Sequence, residues 1–195
     1  VPEVAAMEWE IITPDRQPVT RWSGGETREL YIAPEGCSYQ QRDFSLRLSS
    51  ASVAVPRSEF TDLPGYRRWL TPLQGRVRLQ HDDGPAVELQ PLETDAFDGG
   101  SRTLSWGMCQ DFNVMLSKET KARVRVEGWQ SSRQKLELPG TDGQHHYFYV
   151  PDGEAWLKTA GLTISLPKGS LLHLHSAAAP LQLQYRGMLL HVVLD

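Results

Sequence analysis

The stretch "DFSLRLSSASVAV", residues 43–55, decides how the chain is read. Residues two apart in a strand share a face. Phe44, Leu46 and Leu48 therefore form one apolar face, and Ser45, Arg47, Ser49 and Ala51 form the other. A solvated face normally mixes long charged side chains. This one sets a single arginine among small residues, which leaves room around its guanidinium.

The same grammar recurs along the chain. "YRRWLTPLQGRVRLQH", "AVELQPLE", "DFNVML", "KARVRVEGW", "HYFYVP", "LTISLP", "SLLHLHS", "LQLQY" and "MLLHVVLD" all read as strands. Proline and glycine fall mostly between them, as turn residues do. No window of about 12 residues holds a helical period. The best helix candidate, "DLPGYRRWL" at 62–70, is interrupted by Pro64 and Gly65. An all-β sandwich or barrel follows. Two segments, "LQGRVRLQHDDGPAVELQPLETDAF" and "VPDGEAWLKTAGLTISLPKGSLLHL", repeat a strand–turn–strand pattern. They point to two antiparallel β-barrel halves, or to hairpin grammar that recurs by chance.

Composition narrows the function classes. The 195 residues carry 20 basic and 24 acidic side chains, a net charge of −4. That is not the clustered basic footprint of a nucleic-acid binder. No apolar run approaches the ~20 residues that span a bilayer as a helix. The start, "VPEVAAMEWE", lacks a basic stretch followed by a long apolar one, so no signal peptide is expected. Residues 1–6, ahead of Met7, read as a processed or alternative start. Cys37 and Cys109 are too few for a disulfide framework. The expected location is the cytoplasm.

Three strands carry polar groups where an interior is expected. In "SGGETRELYI", Arg28 alternates with Thr27, Glu29 and Tyr31, so either face presents a charge. An unpartnered buried charge is costly, so a partner is implied, either a side chain (Asp111 for Arg28) or a ligand. In "QDFNVML", Phe112 shares a face with Val114 and Leu116, and Asp111 and Asn113 take the other. Arg28, Arg47 and Asn113 are expected to converge on a concave, mostly apolar cavity. Arginine there suits a carboxylate. The same residues also fit a structural network that pins strand register. Gly24 and Gly25 do not read as a phosphate loop, because a strand rather than a helix follows them. They fit a tight turn or a close backbone approach, and Trp22 either caps the cavity mouth or packs on the core.

Five motifs in order, "WSGGETRELYIAP", "FSLRLSSASV", "EFTDLPGYRRWLTPLQG", "AFDGG" and "DFNVML", make the chain resemble the HutD/Ves family over about residues 9 to 118. The resemblance implies two cupin-like antiparallel β-barrel or jelly-roll halves, a bicupin, divided here at 1–118 and 119–195. It also implies a bacterial cytosolic protein linked to histidine utilisation. The resemblance further implies a regulator of degradation flux rather than an enzyme, expected to bind a small carboxylate such as urocanate, formylglutamate or a related acid of the pathway. Carried over by motif, the ligand-binding set is Trp22, Thr27, Arg28, Glu29, Arg47, Ser49, Phe60, Arg67, Asp111, Phe112 and Asn113. Thr61 stands where family members often have serine, and a hydroxyl is retained. By analogy, a homodimer through sheet edges is expected. The alternative is a metal-independent cupin isomerase or hydrolase acting on a small acid or sugar.

No cofactor and no metal is expected. Metal-bearing cupins use a His-x-His pair with a glutamate and a further histidine, whereas residues before 119 hold only His81. "HLH" at 173–175 does put two imidazoles on one strand face. No carboxylate motif follows it, and "SAAAP" at 176–180 carries no ligands, so two solvated histidines are the expectation. "HDD" at 81–83 reads as a solvated hairpin tip, and "KETKARVRV" as an edge strand protected by lysine.

Overall fold

The computed structural model describes residues 8–138, 143–159, 161–176 and 180–195. The expectations for residues 1–6, and for most of "SAAAP", lie outside them. Among the described residues sixteen strands occur: β1 (Glu8–Ile12), β2 (Val19–Trp22), β3 (Gly25–Ala33), β4 (Leu46–Val53), β5 (Arg57–Glu59), β6 (Tyr66–Gln74), β7 (Val77–His81), β8 (Ala86–Leu89), β9 (Asp95–Asp98), β10 (Thr103–Trp106), β11 (Cys109–Ser117), β12 (Val124–Leu138), β13 (His145–Thr159), β14 (Leu162–Pro167), β15 (Leu171–Ser176) and β16 (Leu181–Leu194). Among the described residues, the one helical turn is a 3-10 turn at Pro14–Arg16, and no helix is long and apolar enough to cross a membrane.

The chain divides into two units. One is Gln17–Lys121; the other joins the N-terminal stretch ending at Arg16 to Ala122–Asp195. This differs from a division at 118. The reason is that β1 pairs antiparallel with β15, which ties the chain start to the C-terminal sheet.

In the Gln17–Lys121 unit, one sheet runs β2-β3-β4-β11-β6-β9 and a second runs β5-β10-β7-β8. Both are open ladders, so of the barrel or jelly-roll expected, the closed barrel does not form. Phe44, Leu63, Tyr66 and Met115 form one buried cluster, and Leu70, Val77, Leu79 and Leu89 another. Tyr66 stacks on Phe44 with ring centroids 4.4 Å apart. Its hydroxyl lies 2.8 Å from the Arg42 carbonyl and 2.9 Å from that of Phe44, donating to one at a time. The stack and the hydroxyl together fix how the chain enters β4.

The second unit is one open sheet, β1-β15-β13-β16-β12, with β14 paired to β13. "LQLQY" and "MLLHVVLD" merge in it into the single strand β16. Phe148, Leu157, Leu172, Leu183 and Leu189 are fully buried at its core. Each buried side chain of this size contributes about 1.5–3 kcal/mol. The edge strand β12 carries Lys135 beside Glu137, 2.9 Å apart, and a charged edge resists pairing with another chain.

Candidate functional site

Antiparallel register builds a polar floor on one face of four adjacent strands. Arg47 of β4 faces Met115 of β11, which faces Arg68 of β6. One row on, Glu29 of β3 faces Ser49, which faces Asn113. In the third row, Thr27 faces Ala51, which faces Asp111. These residues line a cavity of about 410 Å³, together with Tyr39, Phe60 and Trp22. The volume suits a small organic molecule.

The two arginines are buried and held differently. Arg47 Nε donates to Glu29 Oε2 at 2.7 Å, and Nη1 donates to Ser49 Oγ at 3.3 Å. Its guanidinium lies 4.4 Å from the Tyr39 ring centroid. Arg68 Nη2 donates to Asn113 Oδ1 at 3.1 Å, and Asn113 Nδ2 donates to Asp111 Oδ1 at 2.9 Å. This chain fixes which way the Asn113 amide points. Phe60 and Phe97 pack around the Arg68 guanidinium at 4.9 and 5.3 Å. Arg68 Nε is buried and has no hydrogen-bond partner among the described residues.

Burial shapes the charges. It pulls the Arg68 pKa down, against the favourable field of nearby Asp111. It pushes Asp111 up to about 6, opposed by the Asn113 hydrogen bond, the Arg68 charge and a backbone hydrogen bond from Ala51. Burial also drives the Cys109 thiol up to about 12, so Cys109 is no nucleophile at neutral pH.

The glycine pair has a steric cause. A Cβ on Gly24 would stand 2.0 Å from the Trp22 ring, so the ring lies over the bare backbone. A Cβ on Gly25 would stand 1.9 Å from the Ser52 carbonyl oxygen, so β3 could not approach β4 there. Trp22 sits 39% exposed at the cavity rim, not in the core, and its Nε1 donates to Thr27 Oγ1 at 3.3 Å.

Of the expected set, Trp22, Thr27, Glu29, Arg47, Ser49, Phe60, Asp111 and Asn113 line the cavity. Arg28, Arg67 and Phe112 do not. Arg28 pairs with Ser50, which puts it on the opposite face of β3, and Asp111 is held by Asn113 instead. Arg67 lies on the other face of β6, its Nη2 3.4 Å from the Thr120 carbonyl. Phe112 is fully buried, one position out of step with Asp111 and Asn113. A bulge between Glu29 and Tyr31 also separates their faces, since Tyr31 pairs with Leu48. Arg68 was missed. The signal for it is the strand parity of "YRRWL", which places Arg68 between buried Tyr66 and Leu70.

Of the two histidines expected to be solvated, His173 is buried and His175 is partly exposed. His81 is not part of the hairpin's wet tip. It stacks on Phe97, with Nε2 2.7 Å from Asp95 Oδ2 and Nδ1 2.9 Å from Thr103 Oγ1. His173 is 1% exposed and stacks on Tyr147, because β15 is an interior strand. His146 Nδ1 and His191 Nε2 lie 2.9 Å apart, and burial with the nearby His146 and Arg125 pushes His191 down to about 3.

An all-β, cupin-like protein with a half-enclosed cavity floored by buried arginines is the class this geometry defines. Among solved structures, the chain is similar to a conserved protein of unknown function from Pseudomonas aeruginosa PAO1, at 21% identity and TM-score 0.77, covering 96% of this chain and 99% of that one. It is similar to HutD from Pseudomonas fluorescens SBW25, described for a formate condition, at 22% identity and TM-score 0.72, covering 96% and 98%. A bacterial pirin from Escherichia coli in complex with nickel(II) shares the fold at 8% identity and TM-score 0.68, covering 95% and 98%. No curated protein matches the sequence. The HutD family profile matches residues 15–191, and the chain belongs to the HutD family, which is linked to histidine utilisation.

Proposed function

We propose that the protein binds a small carboxylate in the Arg47–Arg68 cavity and limits or reports flux through histidine degradation without catalysing a step. The observation that carries this reading is the pair of buried arginines on one cavity floor, with Arg68 Nε unpartnered among the described residues. An arginine matches a carboxylate through paired N–H donors. Asn113 orients the acid, and Tyr39, Phe60 and Trp22 cover its apolar part. Family membership favours an acid of the histidine pathway, urocanate or formylglutamate. In this reading the two units are the two halves of a bicupin, and the protein works in the cytoplasm, alone or as a homodimer.

One observation favours a second reading. Asp111, at about 6 and inside the cavity, is poised as a general acid or base near neutral pH. That would make the protein a metal-independent isomerase or hydrolase. Calorimetric titration with urocanate and with formylglutamate, alongside absorbance-followed turnover, separates the two. Saturable binding without turnover, lost in Arg68→Met, supports the binding protein. Turnover lost in Asp111→Asn supports the enzyme. No heat with either acid would sink the carboxylate reading.

A further inference from the structure

We propose that His145, His173 and His175 form a binding site for one divalent transition-metal ion of the zinc class. Each offers one ring nitrogen, and the three nitrogens lie within 4.8 Å of one another. None of the three lines the arginine cavity.

The strand register brings them together. His173 and His175 are two apart on β15, so they share a face. β13 pairs with β15 through His146 opposite Leu174 and Tyr147 opposite His173. One further step of that register brings His145 opposite His175. The ring centroids are 3.8 Å apart for His173 and His175, 5.2 Å for His145 and His173, and 5.6 Å for His145 and His175. His145 Nδ1 already stands 3.0 Å from His173 Nε2.

A tetrahedral zinc with bonds of about 2.0–2.1 Å sets its donor nitrogens about 3.3 Å apart. The cluster is thus within about 1.5 Å of a ligating arrangement, a distance that side-chain rotation covers. His173 is the fixed ligand, stacked on Tyr147 at 4.2 Å and 14° between planes. His145 is exposed and His175 partly so, which leaves two rings able to turn and a path for an ion to enter. An all-imidazole set selects zinc, nickel, copper or cobalt over magnesium or calcium. Three protein ligands leave a coordination position for water.

The test uses the full chain, stripped with chelator and titrated at pH 7.5 with Co²⁺ by visible absorption and with Zn²⁺ by calorimetry. The expected result is one saturable site per chain, with Zn²⁺ displacing Co²⁺. His145→Ala and His175→Ala, both on rings open to solvent, are each expected to weaken binding at least ~10-fold. A second readout needs no variant. Zn²⁺ should move the ring-nitrogen NMR signals of His145, His173 and His175 and leave those of His81 in place. Absence of saturable binding, binding undiminished in both variants, or shifts confined to other histidines would overturn the proposal.

Discussion

Replacing Asp111 by asparagine should stabilise the protein at neutral pH, although it removes a charge that faces a buried arginine. Asp111 is 3% exposed, and its pKa rises from an ordinary 3.8 to about 6. One pKa step is worth about 1.36 kcal/mol, so ionised Asp111 costs the fold about 3 kcal/mol above pH 6. The folded state holds a proton between pH 3.8 and about 6 that the unfolded chain has released. Stability therefore falls as pH rises through that window and levels off above it. Asparagine carries no such penalty and keeps an oxygen for the Asn113 amide. Lost geometry around the Ala51 backbone offsets part of the gain, which leaves about 1–3 kcal/mol at pH 8. The pH-dependent part is free of that offset. Between pH 5 and pH 8 the advantage of Asp111→Asn over wild type should grow by on the order of 1 kcal/mol. Urea unfolding of both proteins at several pH values, followed by tryptophan fluorescence, reads the difference directly. A difference that stays flat from pH 5 to 8, or an Asp111→Asn protein less stable at pH 8, would refute the reasoning. Arg68 would then hold the carboxylate ionised at no net cost.

Other perturbations test neighbouring parts of the account. Arg47→Met strands the half-buried Glu29 and should destabilise by about 1–3 kcal/mol; adding Glu29→Gln should recover most of the stability but none of the acid binding, as unfolding and titration of the same samples will show. Gly25→Ala should cost more than about 2 kcal/mol, since the new Cβ meets the backbone of β4, whereas the nearest atoms to a Cβ at Gly24 belong to the movable Trp22 ring, so Gly24→Ala should shift its fluorescence with little loss of stability. His191 is held neutral to about pH 3, so the fold excludes a proton that the unfolded chain binds below 6.5. Stability should fall as pH drops below 6.5, by up to about 1.4 kcal/mol per pH unit from this group, and His191→Asn should blunt the fall in amide exchange of β13 and β16.

Periodicity identified the elements wherever a strand stays in phase. β4 and β11 alternate cleanly, so the faces of Arg47, Ser49, Asp111 and Asn113 follow from spacing alone. The errors have local causes. The bulge between Glu29 and Tyr31 shifts the phase of β3, and no residue pattern announces it. The adjacent pair Arg67 and Arg68 offers two phases, and only the burial of Tyr66 and Leu70 selects Arg68. Long-range pairing is what "HLH" could not reveal. Two histidines on one strand carry little information until β13 supplies His145 from 28 residues away. The open sheets in place of closed barrels have the same origin, because alternation fixes faces but not which strands pair.

Thermal unfolding across a panel of small acids tests the central claim most directly: histidine, urocanate, formylglutamate, glutamate and formate, each with wild type, Arg47→Ala and Arg68→Met. An acid at ~100 times its Kd stabilises by about 2.7 kcal/mol, a Tm rise of roughly 5–10 °C for a chain of this size. The account predicts such a rise for at least one acid with wild type and none with either variant. No rise with any acid, or a rise that survives in both variants, would contradict it, and the arginines would then serve only to hold the sheet.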